Sequence, residues 1–222
     1  MVIAIDGPAA SGKSSTAAAV ARVLGAYHLD SGALYRTLTR VALDAHTRDP
    51  EAILQAAARR GVALAEHGAE LMPLLDGGLA ESRIRSPEVT GLVSEVSAMP
   101  TLREWVNMQL RAAARPDRTL VLDGRDIGTV VFPAAATKIF LTASPEARAR
   151  RRLVQRGDAP DEAAVAVEAA RLVERDRADS VRPVAPLKRA PDATVVDTTD
   201  MSFDQQVSAI VDLVRRGLPE PC

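Results

Sequence analysis

The sequence holds a single cysteine, Cys222, and only three of its 28 basic residues are lysines: Lys13, Lys138 and Lys188. One cysteine excludes an internal disulfide and a cysteine-built zinc site, and a reducing compartment fits that usage. Long apolar runs are missing as well. No stretch reaches the roughly 18 apolar residues that mark a membrane span, and Met1 leads straight into a strand-like run without a charged leader, so a cytoplasmic protein is expected. Excess charge of either sign is also absent. The 28 basic and 29 acidic side chains leave a formal net charge of −1, and no basic run interrupts the mixture, which argues against a nucleic-acid or membrane-surface partner. His28, His46 and His67 lack H-E-x-x-H spacing and form no metal site. The 222 residues suffice for one domain with a substantial core.

Present instead is Gly7-Pro8-Ala9-Ala10-Ser11-Gly12-Lys13-Ser14-Ser15, which spells G-x-x-x-x-G-K-S directly after the β-branched run Val2-Ile3-Ala4-Ile5. A buried parallel strand suits that run. A helix suits the residues from Lys13 onward, because Ala17, Val20, Ala21 and Leu24 fall at i, i+3, i+4 and i+7 before Gly25. Between the two, Gly7 and Gly12 let backbone N–H groups turn inward on a polyphosphate, and the helix N-terminus adds its partial positive charge. Lys13, expected as an exposed loop lysine, would reach the β- and γ-phosphates of ATP, and the Ser14 hydroxyl would bind the Mg²⁺ that bridges them.

Further along, Asp30-Ser31-Gly32 opens a helix whose buried face is Leu34, Leu38 and Val41; read from these residues alone, Ser31 is the N-cap and Arg36 a solvated charge. Asp49-Pro50 starts a third helix that ends at Gly61. From Val62 to about Arg85, glycines punctuate short apolar pieces, which reads as a small inserted lobe of short strands. Ser86-Pro87-Glu88 and Pro100 each restart a helix, the second carrying Trp105 as a packing residue. Thr119 to Asp123 is a second buried strand. Its terminal carboxylate stands where open α/β sheets bind ligands, and can hold Mg²⁺ through water. Gly124 to Gly128 comes next as a loop, and Thr137 to Thr142 as a third strand. Ser144-Pro145-Glu146 opens a helix bearing Arg148, Arg150, Arg151, Arg152 and Arg156, a solvated charged face by its pattern. A long helix with the stripe Val165, Ala169, Leu172 and Val173 is expected after it, with Glu168 off the stripe. A last strand over Ala193 to Asp197 and a final helix capped by Ser202 and Gln205 complete the chain. The β-α alternation predicts an α/β fold, a doubly wound parallel sheet with helices on both faces.

Taken together, Gly7 to Ser15, Asp30 to Arg36, Asp123-Gly124-Arg125-Asp126-Ile127-Gly128-Thr129-Val130-Val131-Phe132-Pro133, Lys138-Ile139-Phe140-Leu141 and Ala185-Pro186-Leu187 resemble bacterial cytidylate kinases in the order those motifs take, over residues 2 to about 200. The resemblance implies one P-loop nucleoside monophosphate kinase domain over 1–222, with a nucleotide-binding insert at about 62–85, a short lid at about 148–162, and a monomeric state. It implies the reaction ATP + (d)CMP giving ADP + (d)CDP with Mg²⁺. A phosphate monoester has its second pKa near 6, so the attacking oxygen is already anionic and needs no general base. Catalysis would rest on positioning and charge neutralisation, the task of arginine forks.

By the same resemblance, Lys13, Arg125, Arg151 and Arg152 are the catalytic cations, and Gly7, Pro8, Ala9, Ala10, Ser11, Gly12, Lys13, Ser14 and Ser15 bind ATP. Ser31, Tyr35 and Arg36 match the acceptor motif, Ser94 and Arg103 the cytosine readers, and Asp126 the same pocket. Arg175, Asp179 and Arg182 match residues that close on ribose, base or phosphate, while Ser14 and Asp123, the latter through water, match the metal site. Two features depart from the family pattern: the lid loop Gly157-Asp158-Ala159-Pro160 is short and carries a proline, and Pro183 comes directly after Arg182. The residues alone leave open a related kinase with another acceptor, such as UMP or shikimate, and a non-catalytic nucleotide-binding regulator.

Overall fold

The structure, a computed structural model, describes residues 1–217; Cys222 lies outside them. In chain order the elements are β1 (Val2–Asp6), α1 (Lys13–Leu24), β2 (Tyr27–Asp30), α2 (Ser31–Asp44), α3 (Pro50–Arg59), β3 (Ala63–His67), β4 (Glu70–Leu75), β5 (Gly78–Leu79), α4 (Pro87–Ala98) and α5 (Pro100–Ala113). Then come β6 (Leu120–Gly124), a π-helical turn (Ile127–Val131), β7 (Thr137–Thr142), α6 (Pro145–Arg156), α7 (Glu162–Val181), β8 (Thr194–Asp197) and α8 (Phe203–Gly217).

One sheet runs in the order β3-β4-β2-β6-β1-β7-β8, with β5 paired to β4. The ladders β2·β6, β6·β1, β1·β7 and β7·β8 are all parallel. Side chains alternate along each strand, so both faces are apolar. Ile3 and Ile5 with Val121, Ile139 and Leu141 face α1 and α8, whereas Ala4, Leu29, Leu120 and Leu122 face the other layer, which contains α2 to α5. The expected α/β architecture is therefore the one observed. A third, smaller core of Ala149, Leu153, Val165, Ala169 and Leu172 joins α6 to α7 and takes in Ala9 of the glycine-rich loop.

Residues 62–85 contain the antiparallel hairpin β3–β4, which joins the edge of the sheet where His28 pairs with Glu70. Helix starts obey the sequence signals: Asp49, Ser86, Ser144 and Asp161 each accept a backbone N–H from the first turn, and Ser202 and Gln205 cap reciprocally.

Several local expectations are corrected. Tyr27–Asp30 is a strand, which its mixed polar composition conceals, and Asp30 rather than Ser31 is the N-cap of α2, accepting from Gly32 N at 2.8 Å. The loop after β6 tightens into the π-helical turn from Ile127 onward. On α7, Val173 is 49% exposed while Glu168 is buried, because α6 brings Arg152 and Arg156 over the glutamate. Arg175 to Val181 are the last two turns of that helix, and Phe203, at the start of α8, is 47% exposed.

Candidate active site

The parallel strands end together, and β1, the central strand, delivers the glycine-rich loop into the space above them. Gly7 passes so close to β7 that a Cβ there would stand 2.0 Å from the Leu141 carbonyl oxygen, so no side chain fits. Gly12 takes a left-handed conformation (φ 88°) and releases the chain into α1. Lys13 corrects the expectation of an exposed lysine: it is 5% exposed, with Nζ donating to the Pro8 carbonyl at 2.6 Å and reaching Ser11 Oγ at 3.4 Å. Burial, and next the positive charge of Arg125, push its pKa down to about 7. A bound anion would reverse that shift.

Behind the loop, Ser14 Oγ donates to Asp123 Oδ2 at 2.6 Å, and His28 Nε2 lies 2.8 Å from Asp123 Oδ1. Ser31 Oγ donates to the Asp123 carbonyl at 2.8 Å. Burial opposes a charge on His28, yet the hydrogen bond and charge of Asp123, with Asp30 and Glu70 beyond it, hold its pKa above the ordinary value. Burial and the neighbouring Asp123 likewise raise that of Asp30. Two carboxylates and a hydroxyl at the mouth of the loop are hard oxygen donors, suited to a small divalent cation. Among the described residues no group of three or more His, Cys, Asp or Glu could hold a metal ion alone, so such a cation would draw its remaining ligands from water and phosphate.

The turn after β6 carries the other half of the site. Asp6, at the end of β1, accepts Ile127 N–H at 2.8 Å and Gly128 N–H at 2.7 Å, which fixes how Arg125 and Asp126 leave the strand. Its pKa rises to about 6, because burial outweighs those two hydrogen bonds. Asp126 pairs with Arg103, which also donates to the Ser97 carbonyl at 2.9 Å and lies over the Tyr35 ring, 5.4 Å from its centre. Arg182 Nη2 stands 3.7 Å from Asp126 Oδ1, and Arg125 Nε donates to Asp179 Oδ2 at 3.1 Å. Arg36 reaches Thr90 Oγ1 at 3.0 Å. Burial first, then neighbouring arginines, push both Arg36 and Arg175 down to about 10, so both stay charged at neutral pH.

These groups line one cavity of about 560 Å³. It brings together Ser31, Tyr35, Arg36, Arg103, Arg125, Asp126, Arg151, Arg152, Arg175, Asp179 and Arg182 with Ala9 to Ser15 and Asp123. Gly7 and Pro8 shape the loop without lining the cavity. Ser94 does not line it either: its carbonyl accepts from Ser97 Oγ at 3.1 Å, and Ser97, almost one turn further along α4, is the cavity residue. Pro183 leaves Arg182 in the wall, with Nε donating to the Ala185 carbonyl at 2.6 Å. The bland reading of the α6 arginines fails for three of them: Arg148 is buried against the glycine-rich loop, Arg151 donates to Thr198 Oγ1 at 3.0 Å, and Arg152 Nε lies 2.9 Å from Glu168. Five polar atoms on lining residues, Tyr35 Oη, Arg103 Nε, Arg152 Nε, Arg175 Nε and Arg182 Nη2, are buried without a hydrogen-bond partner among the described residues. Such groups are costly unless something pairs with them.

Sequence reasoning missed Asp6, His28, Ser97 and Asp176. Asp6 comes directly after the first apolar run and could have been singled out as a polar residue at a strand's carboxyl end; the other three carry no local signal.

A family model described as cytidylate kinase matches residues 3–216. The cytidylate kinase of Mycobacterium avium is 45% identical over 97% of this chain and 96% of its own length. That of Streptomyces griseus is 44% identical over 96% and 92%, and that of Lactococcus lactis 42% identical over 96% and 97%. The matched span includes both the glycine-rich loop and the arginine-lined cavity, and the chain belongs to the cytidylate kinase family.

Proposed function

We propose that this chain transfers the γ-phosphoryl group of ATP to CMP or dCMP, giving ADP and CDP or dCDP. The observation that carries this reading is the single cavity in which eight arginines and four aspartates face a phosphate-binding loop, with unpartnered arginine and tyrosine groups in its wall. Excess fixed positive charge in a half-buried space suits two polyanions that must be brought together.

The backbone of Ala9 to Ser15 and Lys13 hold the donor phosphates. Lys13 gains a proton as it does so, because phosphate charge offsets the burial that keeps its pKa near 7. Ser14 directly, and Asp123 through water, would hold Mg²⁺, which would supply neutralisation of the charge on the phosphates. Arg36 and Arg125 grip the acceptor phosphate, and Arg151 and Arg152 of the lid at about 148–162 face the transferred group. The acceptor oxygen is anionic at neutral pH, so these residues position it and take no proton from it. Arg103 donates to the cytosine acceptors while Asp126 and a serine of α4 take the exocyclic amino group. Ser97 fills that serine role more readily than Ser94, since it lines the cavity. Asp179 accepts from ribose hydroxyls, with Arg175 and Arg182 beside it. In this reading the 62–85 segment is the acceptor-side lobe, and the protein works as a monomer.

The test is label transfer from [γ-³²P]ATP into separate pools of CMP, dCMP, UMP and shikimate, with an acceptor-free control. Labelled CDP and dCDP are expected; label in shikimate alone, or release of phosphate without transfer, would overturn the assignment.

A further inference from the structure

Both backbone polar groups of Ala9 are held by residues outside the glycine-rich loop. Its N–H donates to Asp176 Oδ1 at 2.7 Å, and its carbonyl accepts from Arg148 Nη1 at 2.8 Å. The same Arg148 nitrogen pairs with Asp176 Oδ2, so one aspartate and one arginine close a ring around the backbone of a single residue. The Ala9 methyl group sits in the small core between α6 and α7. The next residue, Ala10, stands at φ 58°, a conformation that a non-glycine residue keeps only where its surroundings impose it.

Asp176 comes from α7, and its neighbours on that helix face the cavity. Arg175 and Asp179 both line it, and Asp179 holds Arg125, a ligand of the acceptor phosphate in the proposed reaction. One rigid helix segment thus touches the acceptor space with Arg175 and Asp179 and the donor loop with Asp176. The field of Asp176 also reaches Lys13, where it favours the charged form.

We propose that Asp176 and Arg148 are a positioning pair that ties the phosphate loop to α7, so that acceptor and donor nucleotides strengthen each other's binding. The inference rests on the kinase reading but adds to it: occupancy of one side restricts α7, and through Asp176 restricts the loop that serves the other. Such coupling is reciprocal, since a shared element biased by one ligand is biased equally by the other. Neither residue lines the cavity, and their hold on the loop is made through the backbone of Ala9, with the field of Asp176 on Lys13 beside it.

Calorimetric titration of the full chain with ADP, alone and with saturating CMP, measures the coupling. Wild type is expected to bind ADP at least ~5-fold more tightly with CMP present, the lower end of ordinary coupling. In Asp176→Asn, whose amide opposes Arg148, the ratio should fall to within about twofold of unity while CMP alone binds as in wild type. Arg148→Lys, which keeps the charge but has no fork to serve two acceptors, should give an intermediate ratio. Hydrogen exchange on wild type needs no variant: CMP alone should slow exchange of the amides of residues 7–15. A wild-type ratio of unity, an unchanged ratio in Asp176→Asn, or a CMP-insensitive loop would each overturn the coupling. Failure of wild type to bind CMP at all would instead refute the kinase reading.

Discussion

Ser14 on the first turn of α1 and Asp123 at the end of β6 are 109 residues apart in the chain, yet the serine hydroxyl donates to the carboxylate at 2.6 Å. The parallel register of β1 and β6 aligns Asp6 with Gly124, so the loop leaving one strand folds back beside the carboxylate ending the other. With His28 on its second oxygen, Asp123 has little rotational freedom. In the proposed reaction that fixed carboxylate would serve the Mg²⁺ site through water.

Replacing Asp123 with Asn should therefore raise the Mg²⁺ concentration that gives half-maximal activity by about 10-fold or more, as loss of an outer-sphere partner commonly does. Initial rates titrated with Mg²⁺ at fixed ATP and CMP measure it. An unchanged Mg²⁺ dependence would remove Asp123 from the metal site.

In the proposed reaction Lys13 would link nucleotide binding to pH. With its pKa near 7 in the free protein, it is mostly neutral at pH 8, and phosphate binding should return it toward its ordinary value. ADP binding at pH 8 should accordingly take up close to one proton, measured by calorimetry in buffers of different ionisation enthalpy, and Lys13→Ala should abolish the uptake. The sign for stability comes from the lowered pKa: the cost of burying a charged Lys13 is full below about pH 7 and is relieved as pH rises toward 10.5. The same variant should lose on the order of 10²–10³ in kcat.

Asp6→Asn tests the support under Arg125 and Asp126. The asparagine amide would face one of the two backbone N–H groups that Asp6 now accepts, leaving it unpaired at a cost of about 1–3 kcal/mol. Urea unfolding should show that loss. Because burial raises the Asp6 pKa to about 6, the wild-type carboxyl favours folding most at low pH, and that contribution fades as pH rises from about 3.8 to 6. The variant should lack this slope.

Much of the fold was legible because its signals are local. The β-branched run of β1, the 3.6-residue stripe of α1 and the proline and serine caps of α3, α4 and α6 each report on neighbours in sequence. What escaped depends on tertiary placement. Tyr27–Asp30 is a strand because β6 and β4 pair with it, and Glu168 is buried because α6 brings Arg152 and Arg156 to it. The site divides the same way: the loop is a contiguous motif, whereas Asp176 acts on Ala9 across 167 residues. On α4, Ser97 lines the cavity and Ser94 does not, a difference of helical phase that only the folded helix shows.

Asp179 is buried between Arg125 and Arg182, with Oδ2 accepting from Arg125 Nε. Asp179→Ala should weaken use of both CMP and dCMP, and unequally if the 2′-hydroxyl is among its partners. Steady-state kcat/KM for the two acceptors measures this, and indifference to both would sink the ribose assignment.

Base choice at Arg103 and Asp126 is central to the proposed function. Cytosine presents an amino donor beside two acceptors, whereas uracil presents a carbonyl beside an N–H, so uracil leaves the pair mismatched. At about 1–3 kcal/mol for each unpaired buried group, wild type should favour CMP over UMP by at least ~10-fold in kcat/KM. Arg103→Met should cost CMP turnover more than UMP turnover and narrow that preference. The decisive measurement is kcat/KM for CMP and UMP in wild type and Arg103→Met at fixed ATP and Mg²⁺. A preference of that size that collapses in the variant is the predicted result; equal use of the two acceptors by wild type, or a ratio untouched by the substitution, would contradict it.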